Sequence, residues 1–115
     1  MNTKVNTINW SDFTKVEMRI GTIISAEIFK EVNTPAYKLH IDFGEFGIKK
    51  TSAQITKLYA AADLIDKQIV SVINFPPKQI ANMMSECLLL GAIGDTNDVV
   101  LLNPERKVKN GLRVG

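Results

Sequence analysis

One cysteine and one histidine in 115 residues rule out an internal disulfide framework and any His-rich metal site. Cys87 stands in the aliphatic run Cys87-Leu88-Leu89-Leu90, where a small buried apolar side chain is expected. No stretch approaches the roughly 20 apolar residues that a membrane helix needs. The start, Met1-Asn2-Thr3-Lys4-Val5-Asn6, lacks the apolar core and small-residue cleavage site of a secretory signal. The expectation is a soluble, cytoplasmic protein without membrane insertion, with residues 1–6 a flexible N-terminus. Also missing are a G-x-S-x-G elbow, a P-loop, a G-x-G-x-x-G turn and an H-E-x-x-H helix. Asp63 and Asp66, three apart on a predicted helix, read as solvated surface. No catalytic residue, metal or cofactor is expected, and the chain is not read as an enzyme. Internal repeats, low-complexity tracts and linkers are absent as well.

What is present suffices for one domain spanning 1–115. A hydrophobic content of 45% supports a core without staples, and a chain of this size buries roughly two-thirds of its unfolded surface. Net charge is only +2, but residues 49–115 carry nine basic against six acidic side chains. That allows a local basic patch, and scattered surface lysines fit equally well.

Ile8 to Phe13 reads as a short helix with Thr7 as N-cap and Asp12 too late to cap. Its Ile8, Trp10 and Phe13 need cover, from one barrel end or from a partner subunit. From Met18 the period is two: Met18, Ile20, Thr22, Ile24, Ala26 and Ile28 share one face, with Ile23 the exception on the other. This strand covers about eleven residues, with a bend or bulge suggested at Gly21. A turn at Asn33-Thr34-Pro35 leads to a second strand, in which Tyr37, Leu39 and Ile41 alternate with Lys38, His40 and Asp42. His40 therefore falls on the polar face, solvated or hydrogen-bonded. Gly44-Glu45-Phe46-Gly47 turns into a third strand, Ile48 to Ala53. Consecutive Lys49 and Lys50 cannot both face water there, so one sits at the barrel mouth or a bulge re-aims it.

Gln54 to Lys67 is expected to be helix-rich, with Ile55, Leu58, Tyr59, Ala62 and Ile65 at helical spacing. Ile69 to Ile73 and Cys87 to Ile93 are short aliphatic strands, and Gly94 to Asp98 a hairpin turn into Val99-Val100-Leu101-Leu102. An irregular basic tail follows Pro104. The order β-β-β-α-β-β, with an added C-terminal strand and a leading helix, predicts an all-β class. The architecture expected is an OB-fold, a five-stranded Greek-key barrel with short helices.

In such barrels the face of strands 2 and 3, with the loops after strands 1 and 4, forms the ligand groove. Here it would collect Lys38, one of Lys49 and Lys50, Ser52 and Gln54. The loop from Asn74 to Ser85 would close it, stiffened by Pro76 and Pro77. Lys78 offers a phosphate contact or is simply solvated; Asn74, Gln79 and Asn82 offer donors and acceptors. Phe75 and Met84 either pack beneath the loop or meet a base or an apolar side chain.

Several ordered runs carry a family resemblance over residues 7 to 115. They are Asp12-Phe13 with Met18-Arg19-Ile20-Gly21-Thr22-Ile23, Pro35-Ala36-Tyr37-Lys38-Leu39, and Ile41-Asp42-Phe43-Gly44. They continue with Ile48-Lys49-Lys50-Thr51-Ser52-Ala53-Gln54-Ile55-Thr56, then Val72-Ile73-Asn74-Phe75-Pro76-Pro77-Lys78-Gln79-Ile80, and Met84-Ser85-Glu86. The chain resembles the tRNA-binding domain family, found appended to some aminoacyl-tRNA synthetases and as free-standing proteins, and most of all the family's free-standing, export-related chaperone type. The resemblance implies a homodimeric OB fold that binds tRNA by shape and backbone, and a chaperone role toward unfolded or precursor polypeptides. Lys49, Ser52, Gln54, Asn74, Lys78 and Ser85 match the family's binding surface. Where synthetase-linked members read Asn-Leu-Lys-Pro, this chain has Asn74-Phe75-Pro76-Pro77, one lysine fewer. Where they read Ser-x-Gly-Met-Leu, it has Ser85-Glu86-Cys87-Leu88 and gains a carboxylate. A peptide-binding chaperone with little RNA affinity is therefore the alternative reading.

Overall fold

The computed structural model describes residues 3–115, so residues 1 and 2 of the expected flexible N-terminus lie outside the described residues. Helix α1 covers Trp10–Thr14 and is capped by Asn9 rather than Thr7. Asp12 does help cap it: from the third helical position its carboxylate reaches back and accepts the Asn9 N–H at 3.1 Å.

Strand β1 (Met18–Ile28) has the expected eleven residues, but its faces are corrected in the middle. Ile23 is fully buried, whereas Ile24 and Ile28 are exposed. Pairing with β2 (Tyr37–Asp42) jumps from Ile23↔Ile41 to Ser25↔His40, leaving Ile24 as an extra residue. One extra residue reverses the parity of everything after it. The bulge thus lies three residues beyond Gly21, whose role is close approach. A Cβ on Gly21 would come within 2.6 Å of Ile41 and 2.7 Å of the Phe43 ring.

β2 alternates as expected, with Tyr37, Leu39 and Ile41 buried and His40 exposed. A 3-10 turn at Gly44–Phe46, with Gly44 at φ +66° and Gly47 at φ +85°, delivers β3 (Ile48–Ala53). The helix-rich expectation for Gln54 to Lys67 reduces to α2 (Ala61–Leu64). Separate anchors hold this segment instead of an amphipathic face. Ile55 and Leu64 are buried while Leu58 and Ile65 are exposed. The Tyr59 carbonyl accepts the Tyr37 hydroxyl at 2.7 Å, and its own hydroxyl accepts the Leu101 N–H at 3.0 Å.

After β4 (Gln68–Val72), the expected loop is in fact a hairpin of β5 (Lys78–Ile80) and β6 (Met83–Ser85). Its two-residue turn puts Ala81 at φ +51°. The expected strand Cys87 to Ile93 is split into β7 (Leu88–Leu89) and β8 (Gly91–Ile93). Leu90 marks the split: its N–H bonds Val70, while its carbonyl accepts Leu102. β9 (Val99–Leu101) pairs with β8 as the added C-terminal strand, and β10 (Arg113–Val114) pairs with the start of β1.

The main sheet runs β3-β2-β1-β4-β7, and the Glu86 N–H closes it onto the Lys50 carbonyl at 2.8 Å. That order is the OB barrel, and the class is all-β. Ile23, Leu39, Ile41, Phe43, Leu64 and Ile69 fill its interior. A second, smaller core of Phe29, Ala36 and Met83, flanked by Val32 and Ile80, fastens the β5–β6 hairpin to the β1–β2 connection. No helix among the described residues is long and apolar enough to cross a membrane.

Candidate nucleic-acid interface

Alternation along three strands builds the floor of the site. Leu39, Ile41, Thr51 and Ala53 point inward and are buried, so the residues between them face out. Cross-strand register then sets two outer rows, Ser25–His40–Lys50 and Glu27–Lys38–Ser52. Of the twin lysines, Lys50 belongs to this face. Lys49 has the parity of Thr51 and lies opposite fully buried Ile41. The ring Nδ1 of His40 is 2.9 Å from the Ser25 hydroxyl. Lys38 is partly neutralised by Glu27 at 3.5 Å and lies 5.4 Å from the Phe29 ring centre. Lys50 and Lys78 have no ion-pair partner among the described residues.

The hairpin comes down beside this floor. The Lys50 N–H donates to the Glu86 carboxylate at 3.0 Å, reciprocating the Glu86 N–H bond. The Thr51 hydroxyl donates to the Cys87 carbonyl at 2.8 Å and lies 2.9 Å from the Ser85 hydroxyl. Since Lys78 pairs with Ser85, it stands one strand further out on the same side of the hairpin.

Of the nine expected site residues, six lie on the outer floor or border one of two cavities, and Met84, Asn74 and Lys49 do not. Lys50 and Ser52 lie on the outer floor. Ser52 and Gln54 border a cavity of about 460 Å³ whose far wall is Leu88 to Gly91. Phe75, Lys78 and Ser85 border a second, of about 660 Å³, together with Glu86, Cys87 and Leu88. Leu88 is shared by both. Met84 pairs with Gln79 on the hairpin's opposite face, turned away from Lys78. Asn74 is committed to the scaffold: its side-chain carbonyl accepts the Glu17 N–H at 2.9 Å, and its amide donates to the Lys15 carbonyl at 2.7 Å. Ser85 spends its hydroxyl on Thr51, and Lys49 turns toward the interior edge. In the basic tail, Arg106 is matched by Glu105 at 2.9 Å.

A family model described as "Putative tRNA binding domain" matches residues 18–113, most of the chain. The chain belongs to the tRNA-binding domain family. The crystal structure of chaperone CsaA from Bacillus anthracis str. Ames superposes with a TM-score of 0.92 at 50% identity, covering 96% of this chain and 100% of that one. The CsaA chaperone protein from Picrophilus torridus does so with a TM-score of 0.89 at 47% identity, covering 95% and 100%. The methionine–tRNA ligase of Methanococcoides burtonii is 31% identical over 104 residues, 90% of this chain but only 15% of the ligase. The chain thus spans about 15% of the length of that relative.

Within this tRNA-binding domain, sequence reasoning missed two side chains at the site. His40 sits in the centre of the floor, legible from the alternation that put it beside Lys38. Glu86 was legible as an added carboxylate, though not as the acceptor of the Lys50 backbone N–H. Leu88, which borders both cavities and is not part of the cationic floor, carried no signal inside its aliphatic run. Among the described residues, no three His, Cys, Asp or Glu side chains are grouped to hold a metal ion.

Burial pushes the Cys87 thiol up from 9.0 to about 11; the Ser71 hydroxyl and the Lys49 charge oppose this more weakly. A raised value means that the neutral thiol's contribution is complete below pH 9.0 and is lost as pH climbs toward about 11. Two pH units correspond to about 3 kcal/mol. Denaturant melts at pH 8 and pH 11, where the folded thiol is half ionised, should therefore show the parent losing about 2 kcal/mol more than Cys87→Ala. Equal losses would mean that the thiol ionises freely in the folded chain.

Proposed function

We propose that this chain is a non-enzymatic, cytoplasmic tRNA-binding protein that acts as a homodimer with an export-related chaperone role. The observation that carries the reading is a pair of cations without ion-pair partners among the described residues, Lys50 on the outer floor beside Ser52 and the Ser25-bonded His40, and Lys78 on the hairpin whose end is bonded to the Lys50 carbonyl through the Glu86 N–H. Backbone phosphates need point charges and donors rather than base-specific contacts, and this surface offers those. Family membership and the two CsaA chaperone structures support the same reading. Self-association is supported by the apolar side chains left in water: Ile8 and Trp10 are 70% and 74% exposed. Leu90, Ala92, Val100 and Leu102 also share the outer side of the β8–β9 hairpin and its approach. Patches of this kind mark interfaces.

One sedimentation series tests both parts. With about three phosphate contacts, raising salt from about 50 to about 200 mM should weaken tRNA binding roughly twenty- to fortyfold. Lys78→Ala should lower the logarithmic salt slope by about 0.7–0.9 and leave the thermal midpoint unchanged, because its side chain is exposed. No tRNA binding at about 50 mM salt would end the nucleic-acid reading. A species of 12.8 kDa at micromolar protein would end the dimer.

A further inference from the structure

The cleft of about 660 Å³ between the β5–β6 hairpin and β7 combines two chemistries on one wall. Phe75, Pro76, Pro77 and Leu88 make it apolar, and the two prolines contribute no N–H. Cys87 at its base is held neutral by burial. Lys78 and Glu86 are the two charged residues of its lining, so the cleft carries no net charge. A polyanion gains little from such a space. An uncharged, apolar stretch of polypeptide is matched to it in both polarity and size, since cavities of roughly 300–1,000 Å³ enclose ligands of a few side chains. Phe75 and Leu88, 54% and 48% exposed, are the surfaces such a segment would cover.

We infer that tRNA and an apolar polypeptide segment exclude one another on this protein, because both use the wall that carries Lys78. The inference rests on the tRNA reading above and adds regulation to it. Lys78 points to the cleft side of the hairpin, paired with Ser85. A segment lying between Lys78 and Leu88 therefore surrounds the lysine stem and takes its ammonium away from phosphate. Glu86 extends the conflict to the floor, because the carboxylate that borders the cleft is also bonded to the Lys50 N–H.

The test is a competition at low salt between dye-labelled bulk tRNA and an uncharged decapeptide rich in leucine and phenylalanine, each first measured alone. With peptide at ten times its own dissociation constant, the apparent tRNA dissociation constant should rise about elevenfold. Leu88→Ala should weaken the peptide about fivefold or more and leave tRNA affinity in the absence of peptide unaltered; Leu88→Ser repeats the comparison if alanine disturbs the strand. Simultaneous binding with unchanged affinities overturns the inference, as does failure of the peptide to bind. Conversion to a monomer by either Leu88 variant also overturns it, since the cleft would then belong to a second copy. If the peptide binds but tRNA alone does not, the tRNA reading itself has failed, a result recognisable because the peptide signal persists.

Discussion

Truncating Phe43 to alanine should cost about 3–5 kcal/mol, on the order of 10–20 °C in melting temperature. The ring is fully buried, and it is the body against which the backbone of β1 is pressed at Gly21. Gly21→Ala alone should cost about 1–3 kcal/mol by overpacking, since its new methyl would meet Phe43 at 2.7 Å and Ile41 at 2.6 Å. The double variant should be less damaged than the sum, because the methyl enters space that the ring has vacated. The contact with Ile41 remains, so rescue is partial. A coupling of about 0.5–3 kcal/mol is expected from denaturant melts of the four proteins. Simple additivity would show that Gly21 and Phe43 do not share the same space.

Thr51→Val should lower stability by about 1–3 kcal/mol although shape and burial are kept. The hydroxyl is a buried side-chain link across the barrel's closing seam, bonding the Cys87 carbonyl at 2.8 Å and meeting Ser85 at 2.9 Å. Valine leaves that carbonyl with the longer Ser85 contact of 3.4 Å. Amide exchange should then quicken from Ser85 to Cys87, and tRNA affinity should fall with it, because Lys78 is paired to Ser85. Unchanged exchange at those amides would mean that the Lys50–Glu86 bonds and the Met83 and Ile80 contacts hold the hairpin without the hydroxyl.

The barrel was legible where one face repeats without interruption. Tyr37, Leu39 and Ile41 declare β2, and Gly44 with Gly47 announces the turn into β3. It was illegible where chemistry is symmetric. Ile23 and Ile24 are the same residue, so nothing in the sequence says that one of them is inserted, and the parity of Ala26 and Ile28 depends on that insertion. The β5–β6 hairpin was hidden because Ala81-Asn82 lacks the glycine that usually marks a two-residue turn. Of the site, the pairing of the twin-lysine strand with the proline-led segment was foreseeable from barrel order. The division of labour between Lys49 and Lys50 required the cross-strand register. The roles of Asn74 and Ser85 depend on partners 57 and 34 positions away in the chain, Glu17 and Thr51, which no local pattern reveals.

The Asn74 carboxamide, bonded on both sides of Val16 to Lys15 and Glu17, has a consequence for anything joined ahead of α1. It orients the point of departure of the chain beside the exit of β4. A fused module or label placed there would leave from a defined flank of the cylinder, because this carboxamide and the Ile73 N–H, bonded to the Glu17 carbonyl, fix the junction between α1 and β1.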